Sequence, residues 1–452
     1  MSARPSPAYA ARATHPATRA AVVDADGMGA FLPGALAREG VRSVLVRSDA
    51  PNPHLANQTD LTDRTDRTDR TDRTDLAPEV MHRGDVAATA DALRRYGVDR
   101  VVAGAESGVL LADALSAELG TPGHGMSRPS ARRDKYEMAC AVRESGQATA
   151  DCLATESADE VVAWARRHGR WPVVLKPLAS AGTDNVLFCR SEAQLRAGVA
   201  AITAGRDRYG GRNLAVLVQE HLAGEEYFVN TVSSGGVHHV VEVWRYHKRP
   251  VGDRPMYDHE EPVPPDDPVV GVLTAYTLRV LDALEIRNGA AHTEVIRTGR
   301  GPVLVECAAR HGGSHTPSVV SRFLGTDQLA CLARAVACPD QAALGRLPRY
   351  RPRAHLRYVT LLSPRAGSPL SAERFAPVRA LGTFVEMALT MPEGTVLPRT
   401  RDLASSPGYV YLAAADPARV AADHQRLRAL EHGDLYGPAT TTIPPGERHG
   451  DR

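Results

Sequence analysis

Residues 290–313, AAHTEVIRTGRGPVLVECAARHGG, constrain this chain more than any other segment. Two runs rich in β-branched and aliphatic residues, 290–297 and 302–306, flank Thr-Gly-Arg-Gly, which predicts two neighbouring strands joined by a turn. Each run carries one acid, Glu294 and Glu306, and antiparallel pairing brings the two side by side. Carboxylates that close repel unless one is protonated or a cation lies between them, and Mg²⁺ bridging nucleotide phosphates is a natural occupant. Either acid alone reads as a surface group. Arg310, four residues beyond the second acid, can reach anionic oxygens, and Gly312-Gly313 lets backbone N–H groups approach a carboxylate or phosphate. Metal, arginine and amides together suit phosphoryl transfer.

Two lysines extend this set. Lys135 stands in Arg-Arg-Asp-Lys-Tyr-Glu-Met, early in a helix expected over 130–144, and Lys176 ends the predicted strand Trp-Pro-Val-Val-Leu-Lys. As point charges they can neutralise phosphate oxygens, although each alone also reads as a solvated lysine. The stretch VLVQEHLAGEE runs from a buried strand into a glycine turn, a pattern that presents backbone groups to an adenine edge and a downstream acid to ribose hydroxyls. Glu106 follows the carboxyl end of a predicted strand, where open sheets place ligands, and it can equally cap the next helix. His247 can contact a substrate carboxylate or help deprotonate an amine, or simply face water. His292, His311 and His315 have no metal-ligand spacing and are expected to shape a pocket.

The 452 residues are enough for two or three cored domains. With 54 basic against 53 acidic side chains, no global field recruits nucleic acid or a membrane. No apolar run reaches the roughly 18 residues a spanning helix needs, and the scattered cysteines read as reduced thiols of a cytoplasmic protein. A tail over 1–20 precedes an α/β domain at 21–125, interrupted at 59–75 by a Thr-Asp-Arg repeat expected to be disordered. In that domain Gly27-Met-Gly29 reads as a tight turn more readily than as a phosphate cradle. A core at 126–345 follows, with a small clamp at about 145–225, then a C-terminal α+β unit at 350–435 and a tail at 436–452. The alternating run 225–246, broken by Ser-Ser-Gly-Gly, predicts an antiparallel hairpin.

The ordered series Lys135, Lys176, Glu220 to Glu226, Glu294, Glu306 and Arg310 resembles the ATP-grasp superfamily of carboxylate–amine ligases. Within it the L-amino-acid ligase and carnosine-synthase-like group is most similar, through AGAESGVLLADALSAELG, SARRDKYEM, VVLKP, QEHLAGEEY, EVWRYHKRP and the 290–313 segment. The likeness is strongest over 98–330, thinner over 350–432 and weak before 50. It implies an ATP-grasp fold of mixed α/β and α+β texture, with an N-terminal parallel-sheet domain, a central nucleotide clamp and a C-terminal α+β domain. It also implies ATP and Mg²⁺ as cofactors, with Mn²⁺ able to substitute, and joining of two amino acids as a dipeptide or γ-glutamyl-type amide through an acyl-phosphate. A non-amino-acid carboxylate or amine, or a catalytically silent scaffold, is the alternative.

Carried over by residue, the resemblance puts Lys135 and Lys176 at phosphates, Gln219, Glu220 and Leu222 at adenine, Glu226 at ribose, and Mg²⁺ at Glu294 and Glu306. Arg310, Gly312 and Gly313 would hold the carboxylate or acyl-phosphate, and Glu106 and His247 would face substrate, with Arg310, Lys176 and His247 taking part in catalysis. Ala308 stands where many members carry asparagine, which weakens the case for a third protein metal ligand. The hairpin around 224–236 is expected to close over ATP, the C-terminal unit to wall one side of the site, and the partners to be small-molecule amino acid substrates, with a homodimer the common oligomeric state.

Overall fold

The computed structural model describes residues 18–48, 77–180, 185–207, 210–251, 254–338 and 344–437. The Thr-Asp-Arg repeat lies outside them, as do most of the two expected tails. The described residues build three sheets. Strands β1 (Arg19–Val23), β2 (Arg42–Arg47), β3 (Glu79–Met81) and β4 (Arg100–Ala103) pair in parallel in the order β3-β2-β1-β4. The aliphatic run of β1 is almost wholly buried, as expected of a strand covered on both faces. The predicted Gly-Met-Gly turn is a 3₁₀ turn, Gly27–Phe31. A Cβ on Gly29 would stand 1.9 Å from the carbonyl oxygen of Gly104 and 3.2 Å from His311 Nε2, so glycine here permits close packing rather than a phosphate cradle.

The second sheet contains β5 (Cys152–Thr155), β6 (Val173–Pro177), β7 (Leu187–Cys189) and β8 (Val216–Glu220) in the order β5-β8-β6-β7. Helices Ala158–His168 and Glu192–Ala204 pack on it through Val161, Trp164, Leu195 and Ile202. The third sheet joins β9 (Gly224–Ser234), β10 (Val237–Val251), β11 (Arg254–Pro262), β12 (Gly289–Thr298), β13 (Gly301–Ala308), β14 (His355–Thr360), β15 (Phe384–Leu389) and β16 (Gly408–Ala414). Its order is β13-β12-β9-β10-β11-β14-β16-β15.

The β9–β10 hairpin forms as the alternation predicts, with Gly235 and Gly236 both at positive φ in the connecting turn. It is not a lid. β12 pairs along β9 from Gly224 to Ser233 and β11 along the second half of β10 from Trp244 to Val251, so the hairpin lies within the sheet. The C-terminal strands also differ from a separate unit: they have their own core around Val359, Phe375, Val410 and Leu427, yet β14 continues the large sheet from β11.

The helix expected over 130–144 is split. Asp134 accepts hydrogen bonds from the amides of Tyr136 and Glu137, a side-chain cap that ends the 3₁₀ turn Pro129–Arg132 and starts helix Lys135–Glu144. Lys135 is therefore the first residue of its helix. Just before it, the fully buried Arg132 donates to Asp113 Oδ2 at 2.8 Å from Nε and lies 2.7 Å from it through Nη2. Nη1 donates to the carbonyl of Leu284 at 3.0 Å, and Nη2 to that of Gly125 at 2.9 Å. This one guanidinium ties helix Val109–Leu119 of the first domain to the end of helix Pro268–Ala283 of the core. Replacing it strands a buried carboxylate and two carbonyls, so Arg132→Met should cost about 3–5 kcal/mol, read as a lowered urea midpoint.

Candidate active site

Lys135, Lys176, Gln219, Cys152 and Leu304 line one cleft between the second sheet and β13. Pairing of β6 with β8 sets Lys176 opposite Leu217 at the strand end. Lys135 reaches in from the start of its helix and donates to the carbonyl of Ser180 at 2.8 Å and to Glu306 Oε1 at 3.0 Å. Burial, helped by the neighbouring Lys135 charge, lowers the Lys176 ammonium to about 8 against the pull of Glu306 and Glu294. Two cations thus converge with no intervening acid except Glu306 and Glu294, an arrangement suited to a polyanion.

The acids stand as the sequence predicts: Glu294 on β12 is the register partner of Glu306 on β13, beside a bulge at Glu294/Val295. The Tyr246 hydroxyl donates to Glu294 Oε1 at 3.2 Å, and His292 Nε2 lies 3.5 Å from the same oxygen. Burial by itself would raise the Glu294 carboxyl, but His292, Lys248 and Tyr246 outweigh it and hold the group at about 2. Farther along the same face, Lys248 donates to Glu226 Oε2 and the Tyr257 hydroxyl to Glu226 Oε1 at 3.0 Å. Tyr246, Lys248 and Tyr257 were not among the expected site residues. Period-2 alternation on β10 would have put Tyr246 and Lys248 together, but which face they share emerges only from the sheet order.

The same alternation turns His247 to the other face. Its Nε2 accepts from Arg245 Nε at 3.0 Å and lies 2.9 Å from Glu261 Oε1, and its ring stacks on His259 at 4.2 Å. The expected catalytic and substrate-binding role for His247 is therefore corrected: it belongs to a structural polar cluster. In that cluster His247, His259 and Glu261, and likewise Asp258, His259 and His424, lie close enough to hold a cation. Arg245, Arg357 and Arg428 already pair with those acids.

Glu106 is brought to the site but points at protein. Its carboxylate pairs with Arg133 and accepts from Arg310 Nε at 2.8 Å. Burial would raise this carboxyl, yet Arg310, Arg133 and Lys135 reverse the effect and keep it below the usual range. It orients Arg310 and neither caps the helix nor faces a free pocket. The amide of Gly312 donates to Gln328 Oε1 at 2.8 Å, so this N–H is not among the oxygen-binding donors expected of it. The Glu220 side chain is engaged by protein groups. Its carboxylate pairs with Arg300 and accepts from the Asp151 amide at 2.9 Å, leaving Gln219 as the side chain of that pair in the cleft. Leu222 lies half-buried in the 221–223 link.

Comparison with known proteins gives this geometry a family. A model described as an ATP-grasp domain matches residues 169–318. Dapdiamide A synthase of Enterobacter agglomerans is 34% identical over 364 residues, 79% of this chain and 84% of that protein. The chain belongs to the ATP-grasp family. An L-arginine-specific L-amino acid ligase of Bacillus subtilis is 22% identical over half of this chain and 54% of its own length. Among solved structures, an L-amino acid ligase from Bacillus licheniformis superposes with a TM-score of 0.68 at 15% identity, covering 91% of this chain and 97% of that one. An ADP complex of N5-carboxyaminoimidazole ribonucleotide synthetase gives 0.65 at 16% identity, over 92% and 98%. Both share the fold, with its N-terminal parallel sheet and antiparallel sheets.

Membership of the ATP-grasp family implies that the protein binds ATP. The residues present also suit a divalent cation: the facing carboxylates of Glu294 and Glu306 are an all-oxygen donor pair, and Glu294 is held ionised. The depressed Lys176 sets a pH dependence. Its charge is complete well below pH 8 and lost above it, so ATP affinity of the protein should fall as pH rises from 7.5 to 9.5. Calorimetric titration should show this decline in the native chain and a flatter profile in Lys176→Arg, whose side chain stays charged.

Proposed function

We propose that this protein joins two amino acids, activating the carboxylate of one with ATP as an acyl-phosphate and admitting the amine of the other, with ADP and phosphate as by-products. The observation that carries the reading is the placement of paired acids, two buried lysines and an Arg-His-Gly-Gly turn on adjoining elements, in a chain one third identical to a dapdiamide synthase over most of its length.

Lys135 and Lys176 neutralise phosphate oxygens as the γ-phosphoryl group moves to the carboxylate. Arg310, aimed by Glu106, pairs with that carboxylate and later with the acyl-phosphate, and Gly313 supplies a side-chain-free approach next to it. Glu226, braced by Lys248 and Tyr257, accepts from ribose hydroxyls, and Gln219 and Leu222 border the adenine. Glu294 and Glu306 would hold Mg²⁺, for which Mn²⁺ can substitute, and the ion would supply further charge neutralisation at the phosphates. Lys135 also pairs with Glu306 at 3.0 Å, which places its ammonium beside one of the acids that would hold the ion. The attacking amine displaces phosphate from the acyl carbon, forming the C–N bond and breaking the C–O bond to phosphate. Positioning provides most of the rate, since the reacting groups arrive already oriented.

The test is phosphate release from Mg·ATP against single amino acids and pairs, with mass spectrometry of the products. Release should require a pair and yield its condensed mass. Glu306→Gln should lower turnover by at least about 100-fold, since even partners of metal ligands are worth 10–100-fold. Release with no condensed product from any pair would sink the ligase reading.

A further inference from the structure

A second cavity opens beside Gly312 and Gly313, with Met28 and Phe228 among its apolar walls. At its polar end β10, β9 and β12 set Glu242, Asn230 and His292 in one row, because Glu242 pairs in register with Asn230 and Asn230 with His292. Asn230 Nδ2 donates to Glu242 Oε1 at 2.8 Å, and Asn230 Oδ1 lies 2.8 Å from His292 Nδ1. The other carboxylate oxygen, Glu242 Oε2, is left with no hydrogen-bond partner although the residue is only 2% exposed. Buried carboxylate oxygens are seldom left so, because the lost hydration is not recovered.

The charge that opposes this carboxylate comes chiefly from His315. Glu242 and Asp327 line the cavity, and no lysine or arginine does. His311 is lowered to about 4, chiefly by burial, so its ring carries no charge at neutral pH, and His315 is turned onto Glu260 at 2.7 Å. The indole N–H of Trp244, two residues along β10, makes no well-formed hydrogen bond, although it helps to lower the Glu242 carboxyl against the effect of burial. A side chain at position 312 would crowd Asn230 and His292, each 3.3 Å from where its Cβ would lie, so glycine keeps the cavity clear at the point where Arg310 meets substrate.

We infer that this cavity receives the side chain of the amino acid whose carboxylate is activated, and that Glu242 selects a side chain ending in an amine or guanidine. The inference rests on the ligase reading above and adds to it the class of one substrate. A site built around a buried acceptor discriminates strongly against an isostere that lacks the donor, because that isostere leaves the acceptor unpaired.

The experiment compares lysine, ornithine, 2,4-diaminobutyrate and arginine with norleucine and glutamate, each offered with a pool of partner amino acids and Mg·ATP. Fragmentation of the product reads which residue is amino-terminal. The native protein should favour at least one basic amino acid over norleucine by tenfold or more in kcat/KM and place it at the amino-terminal position. In Glu242→Gln that ratio should fall at least tenfold while ATP still binds; if this variant fails to fold, Glu242→Asp, shorter by one methylene, should shift preference toward longer basic chains. Equal use of norleucine, a basic residue only at the carboxyl-terminal position, or a ratio unmoved by substitution would overturn the inference and leave Glu242 and Trp244 as groups that satisfy each other. If no pair condenses, the ligase reading fails on its own. Calorimetric binding of lysine against norleucine to the native protein then still decides the cavity, with tighter lysine binding supporting the inference and equal or tighter norleucine binding overturning it.

Discussion

Two carboxylates facing each other across adjacent strands cannot stand without compensating charge, and much of this protein is the arrangement that provides it. Glu294 and Glu306 are register partners on β12 and β13. Lys135 covers one, while His292, Tyr246 and Lys248 hold the other ionised. Those compensating groups come from helix Lys135–Glu144 and from β10 and β12, so the elements around the site must pack correctly for the acids to be tolerated at all. The site and the core are in this sense one problem. Phe228 on β9 and Trp244 on β10, both buried, stack at 6.0 Å between the polar groups of that face.

The three sheets divide the work by what each can present. The parallel sheet contributes strand ends and turns, from which Met28 lines the second cavity and Glu106 reaches Arg310. The small antiparallel sheet contributes Lys176 and Gln219, and the large sheet presents Glu226 and Glu242 on one face with Phe228 and Trp244 between them. The other face of the large sheet holds His247, Glu261 and Arg357 in a polar cluster that packs toward helix Pro417–His432 through His424.

Much of this was legible in the sequence. The strand pair at 290–306, its facing acids, the two lysines and the Ser-Ser-Gly-Gly hairpin all follow from local chemistry and spacing. Helices Ala158–His168 and Glu192–Ala204 also had signals, Ser157-x-x-Glu160 and Ser191-x-x-Gln194, and both serines do cap their helices. What could not be read were properties set by distant partners. Lys248 and Tyr257 meet Glu226 only because β11 shifts register beside Asp258, so that His247 pairs with His259 but Lys248 with Tyr257. Glu220 and Glu106 carry the right residue type for ligand contact, yet each is claimed by an arginine far away in sequence, Arg300 and Arg310. His247 failed as a site residue for a simpler reason: a one-residue step along a strand reverses the face.

β9 acts as a ruler. Glu226, at the proposed ribose end, and Asn230, at the closed end of the second cavity, are four residues apart on one buried strand, about 13 Å at the usual rise of ~3.3 Å per residue. Because the strand is hydrogen-bonded on both sides, that separation cannot be stretched or trimmed locally. A single inserted residue would turn half the strand over and lose one end of the site or the other. Descendants of this sequence can therefore change what the site accepts by exchanging side chains at fixed stations along the strand, while the span between nucleotide and substrate is inherited unaltered.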